Sequence, residues 1–283
     1  FQITRARTQS RHRQMSSSPN KPPTEPHEIE IRHCDSLAEY ETCVRLQFQV
    51  WGEQIAVPSP IFVVAHHTGG QILGAFDGDK MVGFTLALVG TRGGKPFLHS
   101  HMTAVLPEYQ NQGVGRRLKL FQRHDALKRE IRLVEWTFDP LELKNAHFNF
   151  VRLGAIARRF IPNCYGITES PLHAGLPTDR LVAEWWIDSD RVKNILADNS
   201  LPAAADTQSI SLPADLIKIK AKDRNEAARV QTHARTEFQK LFHLGYIATS
   251  LEPRGAATDY ILEPTASVAG LRLPEYRPEE FED

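Results

Sequence analysis

The sequence predicts an α/β fold in which strands and helices alternate. Three observations carry this. Short apolar runs of strand character recur along the chain, among them Val82–Val89 and Leu133–Phe138. Longer segments between them place apolar residues at helical spacing. Asp77-Gly78-Asp79-Lys80 joins two apolar runs, a strong signal for a hairpin.

Taken in order, Glu28–His33 alternates and predicts a strand. Asp35 or Ser36 can cap a helix over Leu37–Val50, with Leu37, Val44 and Phe48 among its apolar residues and Trp51 just past its end. A Pro-rich loop holding Pro58 and Pro60 follows, then the hairpin strands Ile72–Phe76 and Val82–Val89 and a Gly-rich turn at Thr91–Lys95. A strand from His99 leads into a long basic helix, and Leu133–Phe138 predicts a central strand. Leu143–Leu153 predicts a helix with Ala146, Phe150 and Leu153 on one face and Gly154 as its stop. Strands near Ala155–Phe160 and Leu181–Ile187 flank a long loop.

Ser200–Gln208 reads as a linker. Beyond it, Ile210–Leu212 is a candidate strand and Pro213–Gly245 is mostly helix, with Val230, Ala234, Phe238 and Leu241 on one face. Tyr246–Ser250 and Asp259–Leu262 are the last expected strands. The phrase FVRLGAIARRF around Gly154 is echoed by LFHLGYIATSL around Gly245. The echo fits a decayed duplication of half the fold, or simply a common helix–glycine–strand phrase.

Composition narrows the function. The 34 basic and 34 acidic residues balance, which argues against a general nucleic-acid binder. No apolar run reaches membrane-spanning length. Cys34, Cys43 and Cys164 show neither metal spacing nor an even-numbered framework, and read as reduced thiols of a cytoplasmic protein. Residues 1–27 are basic, rich in Ser and Pro, and without the apolar core of a secretory signal, so they read as a flexible tail. Met15 opens the SSSPN run within it, which leaves the true start open.

The most informative stretch runs from His99 to Ile131. A short strand enters Gln110-Asn111-Gln112-Gly113-Val114-Gly115 and then the helix RRLKLFQRHDALKREI. Glycines at a strand-to-helix turn let backbone N–H groups converge, and the helix N-terminus adds unpaired donors and its dipole. Such a concavity binds phosphate or pyrophosphate. No Lys-Ser or Lys-Thr follows the glycines, so the Mg-nucleotide P-loop is absent, and Leu118 stands where a dinucleotide fingerprint has its third glycine.

The remaining pattern, Gln-x-x-Gly-x-Gly preceded by Val105-Leu106-Pro107-Glu108-Tyr109, resembles the pyrophosphate loop of the GNAT superfamily of N-acyltransferases. The element order matches that family over about residues 28–188. The resemblance implies a mixed, mostly antiparallel sheet flanked by helices, with residues 189–283 as a smaller helix-and-strand extension. It is similar to a little-characterised bacterial branch with such an extension, some of whose members act on amino acids with succinyl-CoA. The implied cofactor is acetyl-CoA or another acyl-CoA. Gln110, Asn111, Gln112, Gly113, Val114, Gly115, Arg116 and Arg117 would form the diphosphate nest, with one site in the chain because the C-terminal echo lacks the motif. Pantetheine would pair with the backbone of Thr103, Ala104 and Val105, and a backbone N–H near Val105 would meet the oxyanion.

Catalytic candidates come from residue chemistry. His99 and His101 lie two apart on one strand and can share a face, where either can take a proton from an amine. They can equally be packing residues. Glu135 in the middle of LVEWTF needs a partner or a function, acting through a water or as a paired structural carboxylate; Glu184 in LVAEWWI invites a weaker form of the same argument. In many GNAT enzymes a tyrosine on the helix after the central strand protonates the leaving thiolate. Here Phe150 takes that place, so Tyr165 in the next loop is the remaining hydroxyl, with Asn145 and Asn149 available to orient CoA.

On the acceptor side, Arg159, His173 and Arg180 are candidates for a charged substrate, with surface ion pairing as the alternative. No metal set is expected. The expected reaction moves an acetyl or succinyl group to the amine of a small molecule or amino acid, by a monomer or homodimer without nucleic-acid or membrane partners. A non-catalytic acyl-CoA-binding regulator and a protein lysine or N-terminal acetyltransferase are the alternatives.

Overall fold

Local capping starts the first helix. Ser36 accepts the Glu39 N–H while the Glu39 carboxylate reaches back, a capping box that opens α1 (Leu37–Trp51). The stretch read as a Pro-rich loop is in part a helix, α2 (Ser59–His67). Pro60 lies in its first turn, where a missing N–H costs nothing. The computed structural model describes residues 28–52, 56–167, 175–198, 201 and 205–268; the tail 1–27 and His173 lie outside these.

The strands are β1 (Glu30–His33), β2 (Gln71–Asp77), β3 (Lys80–Arg92), β4 (Lys95–Val105), β5 (Leu133–Phe138), β6 (Ile156–Ile161), β7 (Arg180–Trp186), β8 (Gln208–Pro213), β9 (Tyr246–Arg254) and β10 (Ala257–Pro264). Their order in one ten-stranded sheet is β1-β2-β3-β4-β5-β7-β6-β9-β10-β8. Among the described strands only β4 and β5 pair in parallel, so the sheet is mixed and mostly antiparallel. None of the described helices is long and apolar enough to cross a membrane.

Helix α3 (Val114–Lys128) packs on one face of β1–β4, burying Val114, Leu118 and Ala126, while α1 and α2 cover the other face through Tyr40, Leu46 and Phe62. The single helix expected over Leu143–Leu153 divides into α4 (Leu143–His147) and one turn of π-helix at Phe148–Arg152, which seats Asn149 and Phe150 in the core. Phe150 packs edge-on against Phe138 and Tyr260. Gly154 follows with φ 78°, a left-handed stop that glycine adopts at least cost. A short helix that the pattern missed, α5 (Asp190–Leu196), is capped by Ser189. The helical stretch Pro213–Gly245 is two helices, α6 (Leu216–Lys222) and α7 (Arg224–His243), parted where Asp223 caps α7 through the Glu226 N–H.

The C-terminal strands continue the same sheet, and they give the echo a spatial form. The spatial order β5-β7-β6 is mirrored by β8-β10-β9, and each trio is built as strand, helix, two strands. Where the halves meet, β6 and β9 pair antiparallel only at Ala157 and Ala248, each three residues past its stop glycine, Gly154 or Gly245. A half-turn about that pair superposes the two trios in order and direction. The correspondence extends to side chains. Glu184 stands opposite Ile156 and Glu263 opposite Ile247, each two residues past its stop glycine. Glu184 accepts from Arg158, and Glu263 accepts from Thr249, the residue in the matching place. Each half also carries a β-bulge immediately after its pivotal alanine.

Candidate functional site

The sheet opens at β4 and β5. Their parallel ladder is limited to Leu98 with Val134 and His99 with Glu135, and beyond Ser100 the strands part. Backbone groups of Met102 to Val105 therefore face a gap on the β5 side while pairing with β3 on the other. α3 begins at the end of this gap. Gly113 precedes it with φ 81° and Asn111 stands at φ 59°, two left-handed residues that curl the loop. No side chain caps α3, so its first N–H groups keep their donors.

The loop's own side chains brace it. Gln110 Nε2 donates to Val105 O at 2.9 Å and Gln112 Nε2 to Glu108 O at 2.6 Å. Arg117 turns back and donates to Ile29 O. Among the described residues, Arg116 buries its Nε without a partner, and Asn149 on the π-turn does the same with Nδ2. Both orphaned donors belong to the set expected at the cofactor, and they fit a group rich in acceptor oxygens. Asn145 is exposed on α4.

A bulge in β4 shapes the acceptor face. Leu86 pairs with Met102 but Ala87 pairs with Ser100, which leaves His101 as the extra residue of β4. The bulge keeps His101 on the face of His99, with ring centroids 6.2 Å apart. It also takes the His101 backbone out of the regular ladder, at the mouth of the gap. Desolvation, and then the charge of His99, lowers the pKa of His101 below its ordinary value, so its imidazole is neutral near pH 7.

Glu135 shares that face. Burial alone would raise its pKa, but the neighbouring His99, the hydrogen bonds of Arg92 and the charges of Arg159 and Arg92 hold it well below the usual carboxylate range. Arg92 grips it with two hydrogen bonds of 2.7 and 3.0 Å, Arg159 Nη2 lies 2.5 Å away, and His99 Nδ1 is at 4.0 Å. So firmly ionised a carboxylate is a poor proton acceptor for an amine and a good anchor for His99. Arg159 also donates to Glu184 at 3.1 Å, and Arg158 joins the same carboxylate. The two arginines are adjacent in sequence yet reach one carboxylate, because they form the two-residue side of the β6 bulge opposite Val182. Sequence reasoning missed Arg92, Arg158 and this bulge; the only available signal was the unusual run Arg158-Arg159 inside an apolar strand.

Tyr165 comes across from the loop after β6 and its hydroxyl lies 2.7 Å from Thr137 Oγ1, two residues along β5 from Glu135. Burial raises its pKa, so it stays protonated. Arg180 sits over the Tyr165 ring and donates to Asp179 O. His99, His101, Glu135, Arg159, Tyr165 and Arg180 thus gather beside one another, and the loop residues with Arg116 and Asn149 gather across the sheet.

A forked sheet, an uncapped helix at its mouth and a histidine pair on the open face make up the candidate site. Residues 30–154 match the family model described as the acetyltransferase (GNAT) family. Solved structures that part of the chain resembles include the ribosomal-protein-S18-alanine N-acetyltransferase of Escherichia coli, with 16% identity, covering 56% of this chain and 94% of that one, TM-score 0.47. Another is Arabidopsis thaliana NAA60 in complex with acetyl-CoA, with 12% identity, 56% and 99% coverage and TM-score 0.47. A third is aminoglycoside 6'-acetyltransferase type Ii, with 18% identity, 56% and 97% coverage and TM-score 0.44. No curated protein matches the chain.

Proposed function

We propose that this protein moves an acetyl or succinyl group from acyl-CoA to the amine of a small molecule or amino acid. The observation that carries the reading is the β4–β5 fork with the uncapped N-terminus of α3 at its mouth. Acyl-CoA, when bound, supplies the activated carbonyl. The N–H groups from Gly113 to Arg116 would hold its diphosphate, with Arg116 and Asn149 contributing the donors they now bury unpaired. The backbone of Thr103, Ala104 and Val105 would pair with the pantetheine arm.

His101 is the proton acceptor for the amine, because its lowered pKa keeps it neutral at working pH. His99 stands behind it, steadied by ionised Glu135. A backbone N–H near Val105 would meet developing negative charge on oxygen. Tyr165, held protonated, takes the place of the tyrosine that Phe150 displaces and returns a proton to the leaving group. The acceptor side favours a small molecule, because α7 ties down residues 175–179, which lead into β7. Arg235 grips buried Asp179 at 2.8 and 2.9 Å, Gln231 holds Pro177 O, and Arg224 holds Gly175 O. A fixed wall there leaves less room for a peptide.

The test is thiol release from acetyl-CoA and succinyl-CoA over amines, amino acids and lysine peptides, with His101→Ala beside the wild type. Release with a small amine is expected, reduced about 100-fold in the variant with CoA affinity kept. Release with peptides alone would move the acceptor to protein. Tight CoA binding without release for any amine would leave a binding protein in place of an enzyme.

A further inference from the structure

The bulges on either side of Ala157 and Ala248 bend β6 and β9 apart, so the seam between the halves opens into two clefts related by the half-turn. They have different fates. One lies between Gly154 and Thr249 and is plugged from within. Arg191 of α5 inserts its guanidinium there, donating to Gly154 O at 3.3 Å and to Thr249 O at 2.5 Å. Its mate lies between Arg158–Phe160 and Gly245–Ile247, and no side chain fills it among the described residues. There Gly245 O, the counterpart of Gly154 O, accepts from Thr265, through its N–H at 2.9 Å and its hydroxyl at 2.6 Å. A cavity of about 430 Å³ remains.

The chemistry of the open cleft is the reverse of its mate's. Carbonyls receive a guanidinium in the plugged cleft, whereas Arg158, Arg159 and His243 line the open one and no described carboxylate does. Both arginines are engaged on their other side with Glu184, so they supply positive field more than fresh donors. The exposed side chains of Gln239 and His243, on successive turns of α7, supply hydrogen bonds. Two carbonyls of the last turn of α7 are already taken by the N–H groups of Leu244 and Gly245, which weakens their opposition to an anion. Phe160, Phe242 and Tyr246, each half-buried, present rings to the same space.

We propose that this cleft is a second binding site, separate from the acyl-transfer fork, for a carboxylate carrying an aromatic body. Rings would sandwich the body, and the carboxylate would meet Gln239 and His243 within the field of the paired arginines. Because Arg159 reaches from the cleft wall to Glu135, an occupant lies one guanidinium away from the residue that steadies His99. The site does not depend on the acyl-transfer reading.

Calorimetric titration of the full chain with phenylacetate, with and without saturating acetyl-CoA, tests this. Its neutral counterpart 2-phenylethanol and the variant Gln239→Leu/His243→Leu, both exposed positions, complete the set. Saturable phenylacetate binding is expected, kept in the presence of acetyl-CoA, and weakened at least tenfold for the alcohol and for the variant. No saturable binding, equal affinity for the alcohol, or displacement by acetyl-CoA with the variant unaffected would each overturn it.

Discussion

Lys119 shows what a single residue can cost this fold. It is buried on the inner side of α3, with Nζ 2.7 Å from Ser100 Oγ, 3.1 Å from Gln122 Oε1 and 4.0 Å above the Trp136 ring. Its partners are neutral, and desolvation lowers its pKa to about 7. The sign follows directly. Below about pH 7 both the folded and unfolded chains carry the proton, and folding bears the full cost of a buried ammonium. Between there and the ordinary lysine value of about 10.4 the unfolded chain binds more protons, so stability rises with pH. Chemical denaturation of Lys119→Met across pH 6–10 should therefore show a flatter profile than wild type and higher stability at the acid end. A parallel profile would mean the amine is hydrated in solution. Glu135 is the opposite case, a carboxylate whose cost of burial is outweighed by its partners.

At the scale of elements, the loop before α3 separates two uses of glycine. Gly113 has a positive φ, so any side chain strains it, whereas a Cβ at Gly115 would meet only Val105 Cγ2, at 3.9 Å. Nothing in the folded chain requires glycine at 115; a ligand lying close to the backbone would. Gly115→Val should keep the melting temperature within a degree or so and lower acetyl-CoA affinity at least tenfold, measured by titration. Unchanged affinity would remove the diphosphate from this turn. The turn into α3 was legible in the sequence because two glycines and a basic helix mark it. So were the Asp-Gly hairpin and the stop at Gly154. Helix α2 was not, because Pro58 and Pro60 signal a loop when read singly and a helix start when read by position. The bulges at His101 and Arg158–Arg159 were also hidden. An extra residue in a strand shows only against the register of its neighbour, and that register is set by residues far away in sequence. His99 and His101 could be placed on one face, but their link to Glu135 and Arg92 needed strands from opposite sides of the fork.

For the whole molecule, the two mirrored strand trios share one apolar core, beside a second one under β1–β4. Phe150, Trp185 and Leu181 from the first half pack in the same cluster as Phe238, Tyr260 and Leu262 from the second. Arg191, buried, adds a polar tie across the seam. Unfolding should then be a single cooperative event, with tryptophan fluorescence, which reports Trp51, Trp136, Trp185 and Trp186, and far-ultraviolet dichroism giving one coincident transition. Arg191→Met strands the carbonyls of Gly154 and Thr249 and should lower stability by roughly 2–4 kcal/mol while keeping the transition single. Two separate transitions would show that the halves are independent bodies.

The pairing of Ala157 with Ala248 has one more implication. Two strand edges meeting across a half-turn is the geometry by which identical molecules join, and here both edges belong to a single covalent thread. A union of that kind cannot be diluted away: the chain carries its own mate, and however few copies a cell holds, neither edge is left waiting for a stranger.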